Sequence, residues 1–160
     1  MLLFNVLLGT PSFKVMFLAL ACISWNLMSS AISFADDAPQ PPLLTVTLDI
    51  NGTPMEAEIA ATGQQRYMGL SFRKSLGTNE GMLFVYPQEQ PLTFTMRNTL
   101  IPLSIAFISS DLVINEIHHM NVGPGQLFPS EKPAQYALEV DQGWFAANNI
   151  KVGDQIVRRP

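Results

Sequence analysis

Apolar and polar residues alternate from Leu44 to Ile50, with Leu44, Val46, Leu48 and Ile50 set against Thr45, Thr47 and Asp49. A period of two predicts a half-buried strand. Asn51-Gly52 follows, the dipeptide best suited to a tight hairpin turn. Met55 to Ala61 is the predicted return strand, with Met55, Ala57, Ile59 and Ala61 on one face. Thr62 and Gln65 have the spacing of a capping box, which predicts a short helix from Gln64 to Leu70. Gly81 to Tyr86 reads as a strand ended by Pro87, and Leu92 to Met96 as another. Leu103 to Ile108 is apolar on both faces except at Ser104, the pattern of a central strand.

Beyond it, Ser109-Ser110-Asp111 is a turn and Leu112 to Met120 returns. Asn121 to Pro133, with its glycines and prolines, is expected to be a long loop. Tyr136 to Val140 is a strand, Gly143 to Asn149 a short helix, and Gln155 to Arg158 a last strand after Gly153-Asp154. About eight short strands and two short helices, joined mostly by hairpin-length links, predict a strand-rich α+β class. The expected architecture is a small rolled sheet or barrel with helices at its ends.

The chain before Leu44 follows another pattern. Lys14 is the only charged residue ahead of Asp36, and Val15 to Leu27 is apolar apart from Ser24 and Asn26. That run is shorter than the roughly 20 residues of a membrane span and suits a secretory leader. Ser33 and Ala35 are the small residues of a cleavage site. Residues 1–35 are therefore expected to be a signal peptide, 36–43 a proline-rich linker, and 44–160 a single domain. An uncleaved anchor, or a lipid on Cys22, is the alternative.

Cleavage changes what chemistry is available. Cys22 is the only cysteine, so the domain would have no disulfide, thiol nucleophile or thiolate metal ligand. The formal charge of −4 becomes one unit more negative with the loss of Lys14. An acidic domain with scattered bases is a poor nucleic-acid binder. The expected location is exported, periplasmic or secreted, with no stable membrane insertion after cleavage. Neither a cofactor nor a metal is called for, and the expected partner is a small ligand or another protein.

Several blocks carry a resemblance: Thr62 to Arg73 (TGQQRYMGLSFR), Gly81 to Tyr86 (GMLFVY), Met96 to Leu103 (MRNTLIPL), and Tyr136 to Asp154 with its Glu139-Val140, Gly143-Trp144-Phe145 and Gly153-Asp154. Together they resemble the uncharacterised family called domain of unknown function 192. The resemblance implies a strand-rich α+β fold and no particular activity. The family usually has Lys where this chain has Arg97 and Asp where it has Ser104. Those two positions are inferred to face each other in the family, which would send Arg97 here to another acceptor such as Glu116 or Glu139.

Candidate chemistry centres on Arg97-Asn98-Thr99, a polar block between two apolar segments. Either it locks a strand end through backbone hydrogen bonds, or Arg97 and Asn98 present donors to an anionic or hydroxylated ligand. Arg66 and Arg73, seven apart, share a face if the helix persists, and with Arg97 could form a basic pocket. Otherwise they pair with Glu56, Glu58 or Glu80. Trp144 could stack on a sugar or plug the end of the sheet. Glu116 and His118 share a strand face and could pair. The leading reading is a non-enzymatic ligand-binding or accessory module using Arg66, Arg73, Arg97, Asn98 and Trp144. The alternative is a hydrolase-like enzyme using Glu116 with His118, which requires a carboxyl of raised pKa in a cleft.

Overall fold

The hairpin expected at the start of the domain forms as β1 (Thr45–Ile50) and β2 (Thr53–Ala60), with Ile50 opposite Thr53. Its turn residues Asn51 and Gly52 have φ of 54° and 86°, the positive values this turn demands. The structure is a computed structural model and describes residues 37–123 and 125–159, so the expected leader lies outside the described residues.

β2 pairs parallel with β3 (Glu80–Gln90), and parallel neighbours need a crossover. That crossover contains α1 (Gly63–Met68). Two strands follow, β4 (Thr93–Thr95) and β5 (Leu103–Ile108). They are succeeded by β6 (Ile114–Met120), β7 (Leu127–Pro129), β8 (Ala134–Asp141), α2 (Trp144–Ala147) and β9 (Ile156–Arg158). Seven strands make one sheet in the order β6-β5-β8-β3-β2-β1-β9, while β4 and β7 pair separately. The large sheet curls until its outer strands touch. The Ile114 N–H donates to the Asp154 carbonyl (3.0 Å), and the Ile156 N–H to that of Leu112 (2.8 Å). The expected rolled, strand-rich α+β fold is thus observed.

The curled sheet is apolar on both faces. One face gathers Leu48, Ile50, Met55, Ala106, Ile108 and Val140, with Phe145 of α2 packed against them. The other carries Met82, Phe84, Ile105 and Phe107, covered by Leu70 and by Phe94 of β4. β5 lies between the two layers, so all six of its residues are buried. Phe94 docks the small sheet by edge-on contacts with Phe84 (4.9 Å between centroids) and Phe107 (5.7 Å). Burial of such a side chain contributes about 1.5–3 kcal/mol.

Three local features differ from expectation. β3 runs on through Pro87 to Gln90, with its register against β8 shifting between Val85 and Gln90, where a proline need not donate to the ladder. β7 forms inside the expected loop, Phe128 facing Phe94 across the small sheet. Gln40, within the expected linker, is buried and donates its side-chain amide to the Gly69 carbonyl (2.8 Å).

Candidate functional site

A cavity of about 310 Å³ lies among α1, the turn after it, β3, β4 and β8. The capping box fixes the start of α1. Thr62 Oγ1 accepts from the Gln65 N–H (3.1 Å), and Gln65 Oε1 accepts from the Thr62 N–H (2.9 Å). The helix stops at Gly69, whose φ is 48° and where an added Cβ would come 3.3 Å from the Phe84 ring. That close approach brings the turn Gly69-Leu70-Ser71 down onto β3. The segment after it is tied to the polar block, since the Phe72 N–H donates to the Asn98 carbonyl (2.8 Å). Both residues have positive φ, 63° and 57°, which asparagine tolerates and a bulky aromatic does not.

Two guanidinium groups reach this cavity, each over an aromatic ring. Arg66 lies 4.6 Å from the Tyr86 centroid and donates to the carbonyls of Ala61 and Val85. Arg97 lies 4.3 Å from the Tyr67 centroid and reaches the Tyr67 carbonyl at 3.5 Å. Arg97 and Tyr67 are exposed, and Arg66 half-buried, so they form the mouth.

Glu139 lies at the bottom. On β8 it stands in register between Met82 of β3 and Ile105 of β5, and it is 4% exposed. Its carboxyl opens onto the cavity and takes no hydrogen bond from the described residues. Burial alone pushes its pKa up to about 8, so it is a neutral acid at pH 7. Burial also raises the pKa of Tyr86; Arg66 opposes the shift and Glu139 adds to it. Neutral Glu139 therefore offers an unused O–H donor and an unused acceptor under a cationic mouth. Its sequence signal is weak: one acidic residue in the apolar run Ala137-Leu138-Glu139-Val140.

The candidate residues of the sequence are not all brought together. Arg66 and Arg97 share the cavity. Asn98 lies in the same turn but lines only a second hollow, with Val122, Gln126 and Leu127, which Arg97 also borders. Arg73 points elsewhere and grips Glu58 with two hydrogen bonds, 2.5 and 2.9 Å, because α1 has ended before it. Trp144 packs against the core at α2, and its Nε1 donates to Asn79 Oδ1 (2.9 Å).

Glu116 and His118 do pair, Oε2 to Nε2 at 2.8 Å. Burial works to raise the Glu116 pKa, but the hydrogen bonds from His118 and from the Glu131 and Lys132 N–H groups outweigh it and hold the group low. The raised-pKa carboxyl required by the hydrolase alternative is therefore Glu139, not Glu116. Among the described residues no group of three or more His, Cys, Asp or Glu side chains could hold a metal ion. The inferred facing of positions 97 and 104 is also absent. Ser104 shares a strand face with Ala106, away from the cavity, and its Oγ accepts from the Gly143 N–H (3.0 Å) and meets His119 Nδ1 (3.0 Å).

Fold and cavity together define a strand-rich half-barrel with a lined pocket on the sheet face that Leu70 and Phe94 cover. Residues 46–158 match the family described as Uncharacterized ACR, domain of unknown function 192, and the chain belongs to it. No curated protein matches the chain. It is similar to a solved structure from Sinorhizobium meliloti 1021, a protein described as a candidate transcription regulator. The two are 26% identical with a TM-score of 0.71, covering 74% of this chain and 97% of that one. A protein of unknown function from Novosphingobium aromaticivorans DSM 12444 is 31% identical with a TM-score of 0.67, covering 76% of this chain and 94% of that one.

Proposed function

We propose that the protein is an exported binding module that holds a small polar ligand in the cavity above Glu139. One observation carries the reading: a buried carboxyl with no hydrogen bond from the described residues opens into a space rimmed by Arg66 and Arg97. The carboxyl meets solvent only through this space, and titratable groups perturbed by burial in a cleft concentrate at functional sites. Of the residues singled out in the sequence, this reading keeps Arg66 and Arg97, while Arg73 and Trp144 have structural partners. Export rests on the apolar run and small-residue site of residues 1–35. A role on nucleic acid, as the description of the Sinorhizobium protein would suggest, finds no support in a net charge of −4.

Amide NMR spectra recorded against a panel of small sugars, acids and amines test the site. The reading expects shifts clustered at residues 66–71 and 95–99. A ligand that instead perturbs only Trp144 or His118 overturns it. Mass spectrometry of the exported protein tests the location, with Asp36 expected as the first residue. A retained leader, or a lipid on Cys22, counts against a cleaved soluble form.

A further inference from the structure

We infer that the cavity selects small monocarboxylates with an apolar body, held between the Glu139 carboxyl and the Arg97 guanidinium that line it. The inference rests on the binding role proposed above and adds the class of ligand.

The charges around the cavity decide between anion, cation and neutral ligand. Arg66 comes from α1, Arg97 from the turn after β4, and Tyr86 and Glu139 from β3 and β8; among the described residues Glu139 is the only acidic one in the lining. Two guanidinium groups line the same cavity as a carboxyl that burial keeps neutral, so the lining as a whole is positive. An amine entering it would meet both arginines and would have to ionise Glu139 to find a counter-charge. A carboxylate meets no repulsion. It can accept the Glu139 proton in a hydrogen bond between acid and carboxylate, and its charge is balanced by Arg97. Arg66 already spends one nitrogen on two backbone carbonyls, whereas Arg97 makes only one long hydrogen bond and a ring contact. Among the described residues, Arg97 is therefore the lining cation with the most freedom to turn toward a ligand.

The walls decide the rest. Leu70, Phe84 and Phe94 are buried apolar side chains that line the cavity. They suit a compact hydrocarbon or aromatic ring rather than a polyol. A space of about 310 Å³ is at the small end of ligand pockets, with room for a ring bearing one carboxylate.

The test titrates benzoate, benzamide and benzylamine into the protein, followed by amide NMR and calorimetry. Benzoate is expected to bind most tightly and to move the amides of residues 66–71 and 95–99. Because ionised Glu139 cannot donate, benzoate affinity should fall about tenfold for each pH unit above about 8. Glu139→Gln keeps a donor and should remove that pH dependence. Arg97→Gln should weaken benzoate several-fold and leave benzamide unchanged. Preference for benzylamine or benzamide, or benzoate affinity that does not change above pH 8, overturns the monocarboxylate inference while leaving a ligand site in place. If none of the three moves the cavity amides, the binding role falls with it.

Discussion

The guanidinium of Arg97 lies 4.3 Å from the ring centre of Tyr67 and makes no ion pair with any described carboxylate. A polar block set between two buried segments suggests a structural lock, but the lock is in the backbone. The Thr99 N–H donates to the Met96 carbonyl and the Phe72 N–H to that of Asn98. The Arg97 side chain is left at the surface. Arg97→Ala should therefore cost about 1 kcal/mol or less, the worth of an exposed cation–ring contact. Equilibrium unfolding in urea measures it, and a loss of several kcal/mol would mean that the side chain holds the turn.

Ser104 takes the opposite part. Its Oγ accepts from the Gly143 N–H at the start of α2 and contacts His119 Nδ1. Ser104→Ala leaves that backbone donor unpaired in a half-buried position, at a cost of about 1–3 kcal/mol. Because Ser104 and Arg97 share no partner, combining Ser104→Ala with Arg97→Ala should give losses that add to within about 0.5 kcal/mol. A larger coupling energy would mean that the two positions communicate.

Local signals were readable and distant ones were not. Alternation marks β1 and β2, an unbroken apolar run marks β5, and Asn51-Gly52 marks the hairpin, because each depends on neighbours in sequence. The capping box at Thr62 was equally local. β7 has only three residues and owes its strand form to β4, more than thirty positions earlier. Arg73 shares a face with Arg66 only if the helix continues; the chain leaves the helix at Gly69 and swings Arg73 to Glu58, one of the carboxylates that the sequence offers as its alternative partner. Glu139 was the hardest to see. An acidic residue in an apolar strand can sit at an exposed edge, and only the insertion of β8 between β3 and β5 buries it.

The Arg73–Glu58 pair stabilises the segment that leads from α1 into β3. Both side chains are largely buried, 17% and 15% exposed. Burial tends to raise the Glu58 pKa, but hydrogen bonds from Arg73 and the Leu43 N–H prevail and lower it. A lowered carboxyl pKa gives stability that is present above the unfolded value and lost as pH falls through the folded one. Arg73→Ala should cost about 2 kcal/mol near neutrality and less in acid, where Glu58 is protonated in either protein. Thermal melts over an acid series would show the gap closing; a gap that is constant with pH would mean that Arg73 acts only through packing.

Close packing of two backbones at Gly81 gives a sharper test of the sheet. A Cβ there would lie 2.5 Å from the Glu139 carbonyl oxygen and 2.9 Å from the Met55 methyl group. The methyl can move, but the carbonyl belongs to the β3–β8 ladder. Gly81→Ala should therefore destabilise by about 2 kcal/mol or more through overpacking and should disturb amides around Glu139. A variant as stable as the parent would show that β3 and β8 are not this close.

Glu139 should leave its mark on stability as well as on binding. Its pKa is raised by burial to about 8, so between its unfolded value and 8 the native state keeps a proton that the unfolded chain has released. The unfolded state then binds fewer protons, and stability falls as pH rises through this window, by up to about 1.4 kcal/mol per pH unit. Above about 8 both states are ionised and the fall ends. Glu139→Gln has no proton to lose, so its stability should stay level across the window and exceed that of the parent at pH 8 by about 2 kcal/mol or more. Such a gain, from changing one side chain in the cavity, is what a group kept for binding rather than for folding produces. Urea midpoints for both proteins from pH 5 to pH 9 decide it. Parallel profiles would mean that Glu139 is ionised in the folded protein, with water or a displaced arginine as its partner.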